Sequence, residues 1–216
     1  MMSPAQPARN RCLIGCLVPV AMVLVALSGC AGVGVLASSN QISNVNQAEQ
    51  LYGREDRPLI AERLILQAAA DFKKSGNELG LGDAYREYAD LIVAPSTSGK
   101  WKVYYEQHGF LDGSTTYDGR AKAAVAYRKK ALVAYERAVA DLEPRQRYDA
   151  LTNAYYNIGY TEALLGDTTG ACKAYNNALA AFHANVQSNP QTKPYSPSGS
   201  VSDFIGAKMR SLGCPV

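Results

Sequence analysis

The chain has 216 residues, of which 47% are hydrophobic and 19% charged, and its 22 basic and 19 acidic side chains give a formal net charge of +3. That length suffices for one domain with a real core. So even a charge balance gives no general case for nucleic-acid binding.

The first eleven residues carry Arg9 and Arg11 and no acid, and Cys12 to Leu27 follows as a nearly unbroken apolar run with Pro19 in its middle. A short basic segment ahead of such a run has the layout of a secretory signal. The run is shorter than the roughly 20 residues that a spanning helix needs. It closes on Leu27-Ser28-Gly29-Cys30, which resembles the lipobox of bacterial lipoproteins. The resemblance implies a signal peptide over 1–29, cleavage before Cys30, and acylation of that cysteine as the membrane anchor. An uncleaved signal anchor with an incidental cysteine is the alternative. Loss of Arg9 and Arg11 with the signal would take the charge from +3 to +1. In that family an aspartate after the lipidated cysteine favours inner-membrane retention. Ala31 stands here, which implies the outer membrane, facing the periplasm, in a Gram-negative cell.

From Ala31 to about Asp56 the sequence is small and polar and shows no apolar period, so residues 30–56 read as a lipidated tether spanning about 25 to 30 Å as a flexible coil. A short docked helix near Gln47 to Tyr52 is left open. The helical domain is expected over 57–216. Asp56 and Pro58 start a helix whose stripe is Ile60, Leu64, Ala68 and Phe72, Ser75-Gly76-Asn77 breaks it, and a second helix runs to about Val93. Further helices are expected over about 120–142, 145–165 and 169–186, with Pro144 and Gly166-Asp167 as breaks. No segment alternates with period two for long, so the fold class is all-α.

Three segments align without gaps: DAYREYADLI (83–92), VAYERAVADL (133–142) and KAYNNALAAF (173–182). In the last third Tyr155, Ile158, Gly159, Ala171, Tyr175 and Ala178 stand at the spacing of the tetratricopeptide repeat, and the unit resembles that family. It departs from the pattern at Glu162 and His183. Two more divergent units are read upstream, one with Ala131, Tyr135 and Ala138 in its second helix and GKWKVYYEQHGF as its first, the other with Phe72 and Tyr85. The resemblance implies a right-handed stack of about three hairpins, over about 58–93, 100–142 and 145–186. After a Pro/Ser-rich loop, a helix over about 201–212 bearing Phe204, Ile205 and Met209 is expected to cap the stack. Of the five cysteines, Cys172 and Cys214 remain once Cys12, Cys16 and Cys30 are set aside, and in an exported chain that pair is expected to be bonded. Two unrelated buried cysteines are the other reading.

Catalytic signals are poor. His108 and His183 are far apart, and no metal-ligand or nucleophile motif is present. STSGKW (96–101) lacks the first glycine of a phosphate loop, and GLGD (80–83) lacks the strand that a dinucleotide site requires. No enzyme activity, metal or cofactor is expected. By the repeat register Asn153, Tyr156 and Tyr160, with Asn157 beside them, would face a partner-binding groove. Lys102 and Glu106 take the equivalent places in the second unit. The competing reading packs the tyrosines against the neighbouring unit. Trp101, Tyr105, Phe110 and Tyr117 within 94–119 offer a second interface, or core. Residues 120–149 hold eight basic and four acidic residues, a stripe for an acidic partner or lipid, or a solvated face. The expected function is an envelope adaptor that binds proteins of a secretion, pilus or outer-membrane assembly. A protective lipoprotein that blocks a toxic enzyme is the alternative, and a cell-wall ligand binder follows it.

Overall fold

The computed structural model describes residues 40–189 and 200–215. The expected signal peptide over 1–29, the expected lipidation site Cys30 and the residues up to 39 lie outside them. The secondary structure of the described residues is all helical, with no strand among them: α1 (Gln41–Gly53), α2 (Pro58–Ser75), α3 (Glu78–Ile92), α4 (Pro95–Ser98), α5 (Lys102–His108), α6 (Arg120–Leu142), α7 (Tyr148–Leu165), α8 (Thr168–Ser188) and α9 (Val201–Ser211). Among them no helix is long and apolar enough to cross a membrane.

One local device is used twice to fold a hairpin. Gly76 (φ +69°) closes α2 in the left-handed conformation, and the next residue, Asn77, caps α3 by accepting from the Gly80 N–H at 3.0 Å. Gly166 (φ +85°) closes α7 in the same way, and Asp167 accepts from the Gly170 N–H at 2.8 Å. Glycine reaches that backbone region without a Cβ clash, and the Asx side chain satisfies an amide that the helix leaves free.

Two expectations are corrected here. Residues 41–53 are a helix of the domain, where a tether was expected up to residue 56. Asn40 caps it, and Val45, Ala48 and Leu51 bury one stripe against α2 and α3. The stripe is easy to miss because it is only three apolar residues long and has the buried Asn44 beside it. The second correction concerns pairing. The segment expected as the first arm of a hairpin over 100–142 is the seven-residue α5, which packs on α4 and makes at most glancing contact with α6. The main partner of α6 is α3. Although α2 and α3 do form a tight-turned pair, the most extensive packing runs α1 on α2, α3 on α6, and α7 on α8, with α2–α3 and α6–α7 as the joints between pairs.

Small residues make these pairings possible. A Cβ on Gly82 of α3 would lie 2.5 Å from the ring of Tyr135 on α6, and one on Gly159 of α7 would lie 2.9 Å from the ring of Tyr175 on α8. Both tyrosines are buried. Tyr135 joins Ala131, Ile158 and Ala174 in one core cluster. Tyr175 joins Ala171, Ala178, Ile205 and Met209 in another, so α9 covers the free side of α8. The expected bond is present between Cys172 and Cys214, with a Cα–Cα separation of 5.5 Å, and it holds the end of α9 to α8.

The insertion between α3 and α6 is pinned from below. Glu62 of α2, with 0% exposure, accepts from the Tyr88 hydroxyl at 2.9 Å, the Tyr105 hydroxyl at 3.3 Å and the Leu111 N–H at 2.6 Å. Asp112 gathers the loop beyond, accepting from the Ser114 and Thr115 amides and from the Tyr127 hydroxyl at 2.9 Å. Burial pushes the Glu62 carboxyl up to about 6, and its three donors only partly offset the effect.

Candidate functional site: a polar cleft between α1, α3 and α7

On α3, Asp83, Arg86, Glu87 and Asp90 recur at helical spacing on one face, opposite the row Glu78, Leu81 and Tyr85. Such a run of charges needs partners if it is to sit among packed helices. It finds them on three neighbours. From α6, Tyr135 donates to Asp83 at 2.8 Å and Arg128 to Asp90 at 2.9 Å. From α7, Asn157 donates to Asp83 at 2.9 Å, and from α1, Tyr52 donates to Glu87 at 2.7 Å. Arg86 pairs with Glu87 at 2.7 Å and reaches Asp90 at 3.6 Å.

Burial raises both Asp83 and Glu87 above the usual carboxylate range, against the pull of their donors and of Arg86. For Arg86 the order is reversed. Desolvation works against its charge, but Glu87, Tyr135, Asp83 and Asp90 together hold the guanidinium protonated. Its Nε is buried and has no partner. Arg128 Nε is in the same condition.

Beside this network lies a cleft of about 240 Å³ lined by Ile42, Val45 and Asn46 of α1, Phe72 of α2, Asp83 and Arg86 of α3, and Asn153 and Asn157 of α7. Asn153 is exposed at its rim and accepts from Asn157 at 3.3 Å. Asn157, only 7% exposed, forms part of the floor. The cleft thus offers amide, carboxylate and guanidinium groups in fixed positions over a short apolar base. That set can bind a polar chain by hydrogen bonds.

The sequence-predicted groove residues divide. Asn153 and Asn157 line the cleft. Tyr156 is covered: its ring lies 5.7 Å from that of Tyr175 and 5.4 Å from that of Phe204 on α9. Tyr160 sits between two cations, with Arg86 Cζ 5.7 Å and Lys208 Nζ 6.0 Å from its ring centre. Burial raises both hydroxyls. Lys102 and Glu106 form an exposed ion pair at 3.6 Å on α5, which packs on α4, and neither lines the cleft.

The insertion's aromatics also differ from an outward-facing interface. Tyr105, Phe110 and Tyr117 are buried, and Trp101 is half-buried with its indole N–H donating to the Asp56 carbonyl at 2.9 Å. They build the insertion's own core. His108 bonds the Tyr104 carbonyl through Nδ1 and stacks on that ring, and His183 lies beside Phe182. Among the described residues no three of His, Cys, Asp and Glu converge to hold a metal ion.

Sequence reading missed the network of Asp83, Arg86, Glu87, Asp90 and Arg128. The available signal was the i, i+3, i+4, i+7 row of charges on a helix whose other faces are apolar. Comparison with family models, with curated proteins and with solved structures returns no match to this chain.

Proposed function

We propose that this chain is an exported adaptor, anchored through a lipid on Cys30 at the periplasmic face of the outer membrane, whose hairpins form a short tetratricopeptide-like stack that holds a partner protein. The observation that carries the reading is the cleft: the first arms of successive pairs, α1, α3 and α7, line it together. The stack reading draws on two pairs with one sequence pattern. Ile158-Gly159 with Ala171, Tyr175 and Ala178 is matched by Leu81-Gly82 with Ala131, Tyr135 and Ala138, and each glycine lies under its tyrosine. In this register Tyr85 takes the aromatic place after the glycine, and residues 93–119 are an insertion where α7/α8 has a tight turn. Export and anchoring rest on the basic segment, the apolar run and Leu27 to Cys30.

The test is recovery of crosslinked partners from membranes carrying the tagged, full chain, compared with an Asn46→Lys/Asn153→Lys variant. Both asparagines are exposed at the cleft rim, so the change blocks the cleft and spares the core. Partners from an envelope assembly that are lost in the variant support the reading. Partners retained in full by the variant remove the cleft from it. One stoichiometric toxic enzyme in place of an assembly would replace the adaptor role with a protective one. A Cys30→Ser chain should leave the membrane fraction, and one that stays there refutes the lipid anchor.

A further inference from the structure

On the opposite side of α3 from the cleft, a groove of about 510 Å³ runs between the end of α2 and the exposed face of α6. Four cations stand around it: Lys73 of α2 and Lys129, Lys130 and Arg137 of α6. Among the described residues none of the four has an ion-pair partner. The one carboxylate among the lining groups is Glu78, and its Oε2 is buried with no partner. Of the acids on α6 itself, neither Glu136 nor Asp141 lines the groove, and Asp141 is paired to Arg145.

The floor is apolar. Leu81 and Tyr85 of α3 form it, and Val133 of α6, 46% exposed, stands at its edge. Lys130 is held over the Tyr127 ring at 4.2 Å, which fixes a cation beside the floor. Unpaired like charges gathered over an apolar base are unfavourable when left alone, and an acidic ligand with one apolar anchor relieves both terms.

We propose that this groove is a second binding surface, which takes an acidic segment of a partner protein with a leucine or aromatic anchor set on Leu81 and Tyr85. The chain cannot supply that segment from its undescribed parts, because residues 1–39 and 190–199 contain no aspartate or glutamate. A second copy is a poor source too, since its acidic row on α3 is already engaged by Arg86 and Arg128. The recess between two helices suits an inserted side chain better than a flat bilayer surface. This surface stands apart from the α1/α3/α7 cleft, so either can fail without the other.

The test is selection of a displayed random-peptide library on the full chain, followed by fluorescence titration of an enriched synthetic peptide. The expected result is enrichment of peptides that pair acidic residues with leucine or an aromatic. Binding should weaken about tenfold or more in Lys129→Glu/Arg137→Glu, and again on raising the salt from about 50 to 300 mM. Val133→Asp, at an exposed position, should also weaken it, while Asn46→Lys/Asn153→Lys should leave it unchanged. Enrichment without acidic bias, or titrations indifferent to the α6 variants, overturns the proposal. Failure of any peptide to saturate, together with α6-dependent binding to vesicles of about 30% anionic lipid, overturns it in favour of a membrane-facing stripe. Loss in the Asn46/Asn153 variant alone assigns the peptide to the cleft and overturns it equally.

Discussion

Gly82 of α3 lies against the ring of Tyr135 so closely that an added Cβ would meet it at 2.5 Å. The ring cannot retreat easily, because it is buried on all sides and its hydroxyl is committed to Asp83. Gly82→Ala should therefore destabilise the chain by about 1–3 kcal/mol through overpacking, even after the gain of up to about 1 kcal/mol in helix propensity. Gly53→Ala, at a helical position with nothing within 4 Å, should be neutral or slightly stabilising. Urea midpoints of the two variants decide the matter. Equal effects would mean that the α3–α6 contact leaves room for a methyl group beside the Tyr135 ring.

The same contact shows what the sequence made legible. The all-helical class, the α7/α8 hairpin, the Cys172–Cys214 bond and the position of α9 follow from helical period, breakers and cysteine count. The partner of α6 did not, because 27 residues intervene between α3 and α6, and periodicity carries no information across an insertion. Leu81-Gly82 stands within GLGD, whose glycines invite comparison with a dinucleotide site and carry no local sign of a packing role. Its packing role appears once Tyr135 is seen above it. The alignment of 83–92 with 133–142 also misled, since those segments lie on the two arms of one pair. In the cleft, the asparagines of α7 could be read from the repeat register. The covering of Tyr156 by Phe204 depends on how α9 docks, which no local pattern encodes.

Glu62 predicts a pH dependence with a definite sign. Its folded value of about 6 stands above the ordinary 4.5, so burying the ionised form opposes folding. The stability associated with the neutral form is fully present below about 4.5 and is lost as the pH rises through about 6. A shift of that size corresponds to roughly 2 kcal/mol between pH 4.5 and pH 7.5. Asp83 and Glu87 are raised as well and act in the same direction. Glu62→Gln imitates the protonated carboxyl and should flatten much of the slope in a series of urea melts over this range. A variant with the wild-type slope would assign the dependence to other groups.

The Cys172–Cys214 bond closes a loop of 42 residues in sequence. In the chain-entropy model a closure of that length contributes about 4 kcal/mol by restricting the unfolded chain. Cys172→Ser/Cys214→Ser should lower the thermal midpoint accordingly. It should also speed amide exchange in α9 before the rest of the domain, because α9 packs mainly on α8. Tyr156 would then lose its cover from Phe204. Unchanged exchange in α9 would show that Ile205 and Met209 hold the helix without the bond.

Asp83 joins three helices through two donors, Tyr135 on α6 and Asn157 on α7, and it forms part of the cleft. Asp83→Ala would leave both donors in a largely buried site without an acceptor, at about 1–3 kcal/mol for each group that water cannot reach. Tyr135→Phe removes one of those donors, so the two changes should not add. A double-mutant cycle is expected to return a coupling of about 0.5–3 kcal/mol, with the pair less damaging than the sum of the singles. Asp83→Asn keeps an acceptor and should fall between the wild type and Asp83→Ala. An additive cycle would mean that the Asp83–Tyr135 bond contributes nothing of its own, and the tyrosine would then be held by its packing on Gly82 alone.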